Sequence, residues 1–178
     1  MTFHPEHCYD KRKSGSILLE LNIMFMIMVL AGSVYCNAAQ AVLKNCRKLL
    51  ADIKIVQSAR YTESILRREL SYNSTQVKLS KDLNNRDQII CRKTFNNVRN
   101  DWYLSNAVLY RKTLKDTTTG TNPFSSPDVP ITGFKTFLLG KEKIGIIMIF
   151  KDPETGLERQ IAFSLFLSNG TVVKQGSL

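Results

Sequence analysis

The sequence predicts an α+β protein in which one long N-terminal helix, half membrane-spanning and half amphipathic, packs on a mostly antiparallel β-sheet head. Three observations carry this. An apolar run from Ser16 to Cys36 passes without proline into a stretch of helical spacing that lasts to about Tyr72, with Gly32 the one glycine inside it. After Ser71 the apolar residues switch to the two-residue alternation of half-buried strands. The C-terminal third then holds strand-like runs separated by Asp-Pro and Asn-Gly turn signals. A helix followed by hairpin-connected strands is the order of an α+β domain.

At 178 residues the chain has room for one domain with appendages. It divides by composition into a leader (1–15), a membrane-spanning helix half (16–36), an amphipathic helix half (37–72) and a globular β-rich head (73–178). The leader is polar and mixed, and it ends in Lys11-Arg12-Lys13-Ser14-Gly15. The run that follows is long enough to span a bilayer, because ~20 apolar helical residues cover ~30 Å. Cations before the span stay in the cytoplasm, so the large C-terminal part is expected on the outside. A secretory peptide with a cut near Ala39-Gln40-Ala41 fits less well, since the apolar run is too long and contains Glu20 and Asn22.

Glu20 needs a reason, because an ionisable side chain in a membrane run is costly and by default functional. It stands four residues beyond Ser16, one helical turn or ~6 Å of rise. If the chain is cut after Gly15, Ser16 carries a free amine. Burying an amine or a carboxylate alone is penalised, whereas pairing them, within a chain or between neighbours in a bundle, fixes axial register.

Beyond the span, Val42, Cys46, Leu49, Ile53 and Val56 recur at steps of four and three, an apolar stripe at helical spacing that Ile65, Leu66 and Leu70 continue with an offset. Such a stripe is expected to face the home core; the alternative is a coiled-coil surface for a partner. In the head, Ser74–Leu79 alternates and Asn84-Asn85 reads as a turn. Asp87–Lys93 reads as a strand, and Trp102–Arg111 as another rich in aromatic and branched residues. Lys115–Pro130, with three X-Pro steps, reads as a loop. Ile144–Phe150 and Gln160–Leu167 are strands joined by a turn at Asp152–Gly156, and Asn169-Gly170 predicts a hairpin returning as Thr171–Lys174.

The basic leader, Gly15, Ser16, Glu20 and the uninterrupted apolar run together resemble the processing and assembly signal of type IV pilins and type II secretion pseudopilins. Ser16 departs from that pattern, which usually has Phe there. The resemblance implies a prepilin peptidase that cuts between Gly15 and Ser16, methylation of the new N-terminus, and a register-setting role for Glu20. It also implies residence in the bacterial inner membrane with the head exported, contact with the inner-membrane assembly machinery, and other pilins or pseudopilins as partners through the N-terminal helix. The helix end Ser64-Ile65-Leu66-Arg67-Arg68-Glu69-Leu70 and the strand at Leu109-Tyr110-Arg111 before an Asn-Pro loop look like the minor pseudopilin J branch of type II secretion, or the related competence pseudopilin.

Composition sets the rival readings. The net charge of +10 implies acidic partners, anionic lipid or nucleic acid. A membrane-anchored basic module that captures DNA is therefore the first alternative, although the cations are scattered along the chain without an aromatic stripe. A plain signal-anchored exported protein is the second. Catalysis is not expected. The only histidines, His4 and His7, precede the expected cut, and there is no phosphate-cradling glycine loop. No cofactor and no metal are expected, since Cys8, Cys36, Cys46 and Cys91 show no metal spacing. Cys36 and Cys46, ten residues apart on a helix, are separated by ~15 Å and cannot bridge within it; a Cys46–Cys91 pair stays open.

Overall fold

Helix α1 runs unbroken from Asp10 to Leu66 and widens into a π-helical segment, Arg67–Tyr72. The computed structural model describes residues 10–82, 84–93, 98–115, 118–168 and 171–174, with side chains at 10–15, 171, 173 and 174 outside that description. His4, His7, Cys8, Asn169 and Gly170 therefore lie outside the described residues. The π-helical turn closes where the Ser74 hydroxyl donates to the Glu69 carbonyl at 2.7 Å, satisfying one of the carbonyls that a helix end leaves open.

The chain divides into two compact units, Met1–Cys46 and Arg47–Leu178. In the first, every side chain from Ser16 onward is exposed. In the second, α1 buries Ala51, Ile55, Ala59, Thr62 and Leu66 at helical steps of four, four, three and four. Full burial of side chains such as Ile55 and Leu66 is worth about 1.5–3 kcal/mol each.

Ile65, Leu66 and Leu70, the later part of the expected stripe, are buried, but its first part is not the packing face. Leu49 and Ile53 of the sequence-derived stripe are exposed, as are Val42 and Cys46. At 100° per residue their face lies roughly 140° around the helix from the buried one. The buried face is easy to miss because small Ala51 and Ala59 and polar Thr62 form much of it. Bulkier Ile55 and Leu66 complete it, while Leu49 and Ile53 point away.

Nine strands follow: β1 (Ser74–Lys81), β2 (Asp87–Lys93), β3 (Arg99–Ser105), β4 (Val108–Lys115), β5 (Thr118–Pro123), β6 (Ile131–Leu138), β7 (Lys143–Lys151), β8 (Glu158–Phe166) and β9 (Thr171–Lys174). One sheet has the order β5-β4-β3-β2-β1-β9 and the other β6-β7-β8. Every pairing is antiparallel except β1 with β9. The α+β architecture of the pilin-like kind, a long helix packed on a mostly antiparallel head, is thus what the chain adopts.

Four head elements differ from expectation. Trp102–Arg111 is not one strand but the heart of a hairpin, turned at Asn106 and Ala107 with φ of 47° and 61°. Alanine in that left-handed region is uncommon, so composition gave no turn signal. The expected loop at Lys115–Pro130 contains β5, an exposed edge strand that can end in Pro123 because an edge residue needs no donor on its free side. Strand β6 carried no strand pattern of its own, having Thr132, Gly133 and Lys135 among its apolar residues. The segment β9 does not return along β8 as a hairpin; it crosses to the other sheet and lies parallel to β1.

A single core joins α1, both sheets and the loop residue Val129. It includes Val77, Ile89 and Trp102 from the larger sheet and Ile144, Ile146, Met148 and Phe150 from the smaller. Polar ties lock the layers. The Thr136 amide donates to Asp87 Oδ2 at 2.6 Å between sheets, and Arg159 Nε donates to Asp52 Oδ1 at 2.7 Å between β8 and α1.

Candidate functional site

The expected assembly residues lie on the exposed part of α1. From Ile17 to Tyr35 the helix presents large apolar side chains on all faces, and it is long and apolar enough to cross a membrane. That is consistent with a single-pass anchor. Glu20 is exposed within this run, and its polar neighbour is Ser16, whose hydroxyl donates to Glu20 Oε1 at 3.4 Å. Ser16 and Glu20 are thus brought together by one helical turn, as their spacing requires. Gly15 also lies within α1, so the Gly15–Ser16 peptide bond sits inside helical backbone.

The second unit contains a charged site that the sequence reading missed. Glu69, in the π-helical segment, is buried. Its carboxylate lies 3.4 Å from Lys93 Nζ, 3.5 Å from Arg111 Nη1 and 3.9 Å from Arg68 Nε. The Arg111 guanidinium lies 4.6 Å from the ring centroid of Phe124 and 5.9 Å from that of Trp102. The two rings meet edge to face at 5.0 Å. Cation–π contact and the carboxylate together hold a partly buried cation against the core. A π-helical turn beside a buried acid was the only signal that could have pointed here, and a π turn is not legible from composition.

Cys36 and Cys46 are exposed, Cys91 is buried, and all three are free thiols. Burial pushes the Cys91 thiol above its ordinary pKa, which keeps it protonated and unreactive. Asp152 is the opposite case. Its carboxylate accepts hydrogen bonds from the Thr155 hydroxyl and the Thr155 amide, each at 2.7 Å, and these hold its pKa below the usual carboxylate value. This pins the β7–β8 turn, which ends at Gly156 with φ of 68°. Among the described residues no group of three or more His, Cys, Asp or Glu is placed to hold a metal ion.

Comparison of the chain with protein-family models, curated protein sequences and solved structures returned no match. The class therefore rests on architecture: a long apolar N-terminal helix whose distal part packs on an antiparallel head, the design of pilin-like subunits.

Proposed function

We propose that the protein is a minor pilin-like or pseudopilin subunit, structural rather than catalytic, that waits in the inner membrane with its head exported. It joins related subunits through α1 to form a filament of the secretion or pilus type. Prepilin peptidase cuts between Gly15 and Ser16, and the freed Ser16 amine is methylated. Because that bond lies inside helical backbone, the peptidase must open the first turns, and Gly15 is the residue that makes this cheap.

The observation that carries the reading is the exposure of apolar side chains along α1. Lipid accounts for the residues between Ile17 and Tyr35. It does not account for Leu49, Leu50 and Ile53, which lie past the span on the side of the helix away from the head core. Exposed apolar stripes of this kind mark protein–protein contact. A neighbouring α1 is the partner that the resemblance supplies. In such a bundle the Glu20 carboxylate meets the Ser16 amine of an adjacent subunit, an ion pair formed where isolated charges are penalised.

Intact-mass measurement of the membrane-extracted protein tests this. A chain beginning at Ser16, with or without an added methyl, is the expected result. A chain beginning at Met1 would remove processing from the account and leave a simple signal anchor.

A further inference from the structure

The outward face of the six-stranded sheet gathers residues that are scattered in the sequence. Strand register places Lys78, Ile90, Asp101 and Lys112 in one row across β1 to β4. An adjacent row runs through Arg92 and Arg99, and the row on the other side brings Tyr103 beside Tyr110. Side chains two apart on a strand share a face, so all three rows point the same way, opposite to buried Val77, Ile89 and Trp102. At ~4.8 Å per strand the cations and the tyrosines fall within a span of roughly 15 Å.

Two features make this more than a solvated surface. A recess of about 420 Å³ opens on β1, β2 and β3, lined by Lys78, Arg92 and Arg99 with the amide side chains of Gln76 and Gln88, and no carboxylate lines it. The one acid among the described strand residues of the face, Asp101, is buried and already held by Arg99 through bonds of 2.7 and 2.9 Å. Lys78, Arg92 and Lys112 are left to face solvent without that compensation. The Tyr103 and Tyr110 rings stack at 6.0 Å with an interplanar angle of 21°, beside the cations rather than among aliphatic residues.

We propose that this face binds single-stranded nucleic acid, with phosphates over Lys78, Arg92 and Lys112 and a base against the Tyr103–Tyr110 pair. A cationic recess next to an aromatic platform fits a polymer that alternates anionic and flat apolar groups. A duplex hides its base faces and could use only the charges, whereas a sheet surface with aromatic side chains can read a splayed strand. A lipid surface fits less well. Among the described strand residues, the exposed large apolar side chains Phe137, Leu138 and Phe166 lie on the three-stranded sheet, not here. This inference concerns the head alone and stands or falls separately from filament assembly.

The test uses the full chain in detergent and a fluorescent oligodeoxythymidine of about 15 nucleotides. Anisotropy should report saturable binding whose log affinity falls with log salt at a slope of about −2, the ~0.7 per phosphate expected for three contacts. Arg92→Glu with Lys112→Glu should weaken binding at least ten-fold and flatten that slope. Tyr110→Ala should weaken it roughly five- to hundred-fold with the slope unchanged, and Tyr110→Phe, which keeps the ring, should restore it. Lys135→Glu, on the other sheet, should change nothing. Several results would overturn the proposal. They are no saturable binding at about 50 mM salt, binding indifferent to these substitutions, and equal loss with Lys135→Glu. Duplex DNA or heparin competing as well as the single strand would reduce the face to a general anion surface. Anionic vesicles bound with the same dependence on Arg92 and Lys112 would make it a membrane contact.

Discussion

Glu20 and Glu69 are both acids among apolar neighbours on one helical stretch, yet their surroundings are opposite. Around Glu69 the chain supplies its own cations, Lys93, Arg111 and Arg68, from the helix end and two strands. Around Glu20, among the described residues, the polar partner is the Ser16 hydroxyl one turn away. The first carboxylate is an internal ion-pair contact between the π-helical end of the helix and the sheet. The second is half of a contact. An acid in an apolar run that meets only a hydroxyl among the described residues is open to a cation from elsewhere.

The largest expected effect comes from breaking the incomplete half. Glu20→Ala should leave membrane insertion and head stability unchanged but abolish cross-linking between subunits through α1. Undiminished cross-linking would mean that Glu20 does not set register. Next is Glu69→Ala, which should destabilise the head by about 3 kcal/mol, because Lys93 and Arg111 are then left facing a partly buried site without a counter-charge. The thermal midpoint should fall by roughly 10 °C for a unit of this size; a shift under ~2 °C would make the cluster a surface ornament.

The same contrast can be sharpened with a pair of neighbours on α1. Ile55→Ala, in the core, should cost about 2–4 kcal/mol. Ile53→Ala, exposed, should change monomer stability by less than ~0.5 kcal/mol while weakening subunit association. Chemical denaturation separates the two. If both destabilise the monomer equally, the outward face is not free.

The smallest effect is a pH dependence at the β7–β8 turn. The Asp152 pKa is lowered in the folded state, chiefly by the Thr155 hydroxyl, so its contribution is present above the unfolded carboxylate value of about 3.9. It is lost as the pH falls through the folded value. Thr155→Ala should therefore be less stable than the parent near neutrality, with the gap closing under acid. A gap that persists at the lowest pH would point to the turn's backbone rather than to this carboxylate.

The helix, the alternation of the head and the apolar strand β7 were legible because each is a local pattern. The packing face of α1 was not. Periodicity finds an apolar stripe but cannot tell a home core from a partner, and here the bulkier stripe, Leu49 with Ile53, faces outward. The turn at Asn106-Ala107 escaped because its second residue adopts a positive φ without being glycine or asparagine. The Glu69 cluster and the cationic sheet face escaped for a different reason. Their members are distant in sequence and become neighbours only through strand register.

That last point has a temporal side. Strand β9 lies beside β1, so the larger sheet is completed by joining the first strand of the head to the last. Such a non-local closure is slow and cannot begin until Thr171–Lys174 is available. In the proposed orientation, with α1 lodged in the membrane, the head would pass across as an open thread and lock only when β9 arrives, so that emergence of Thr171–Lys174 times the folding.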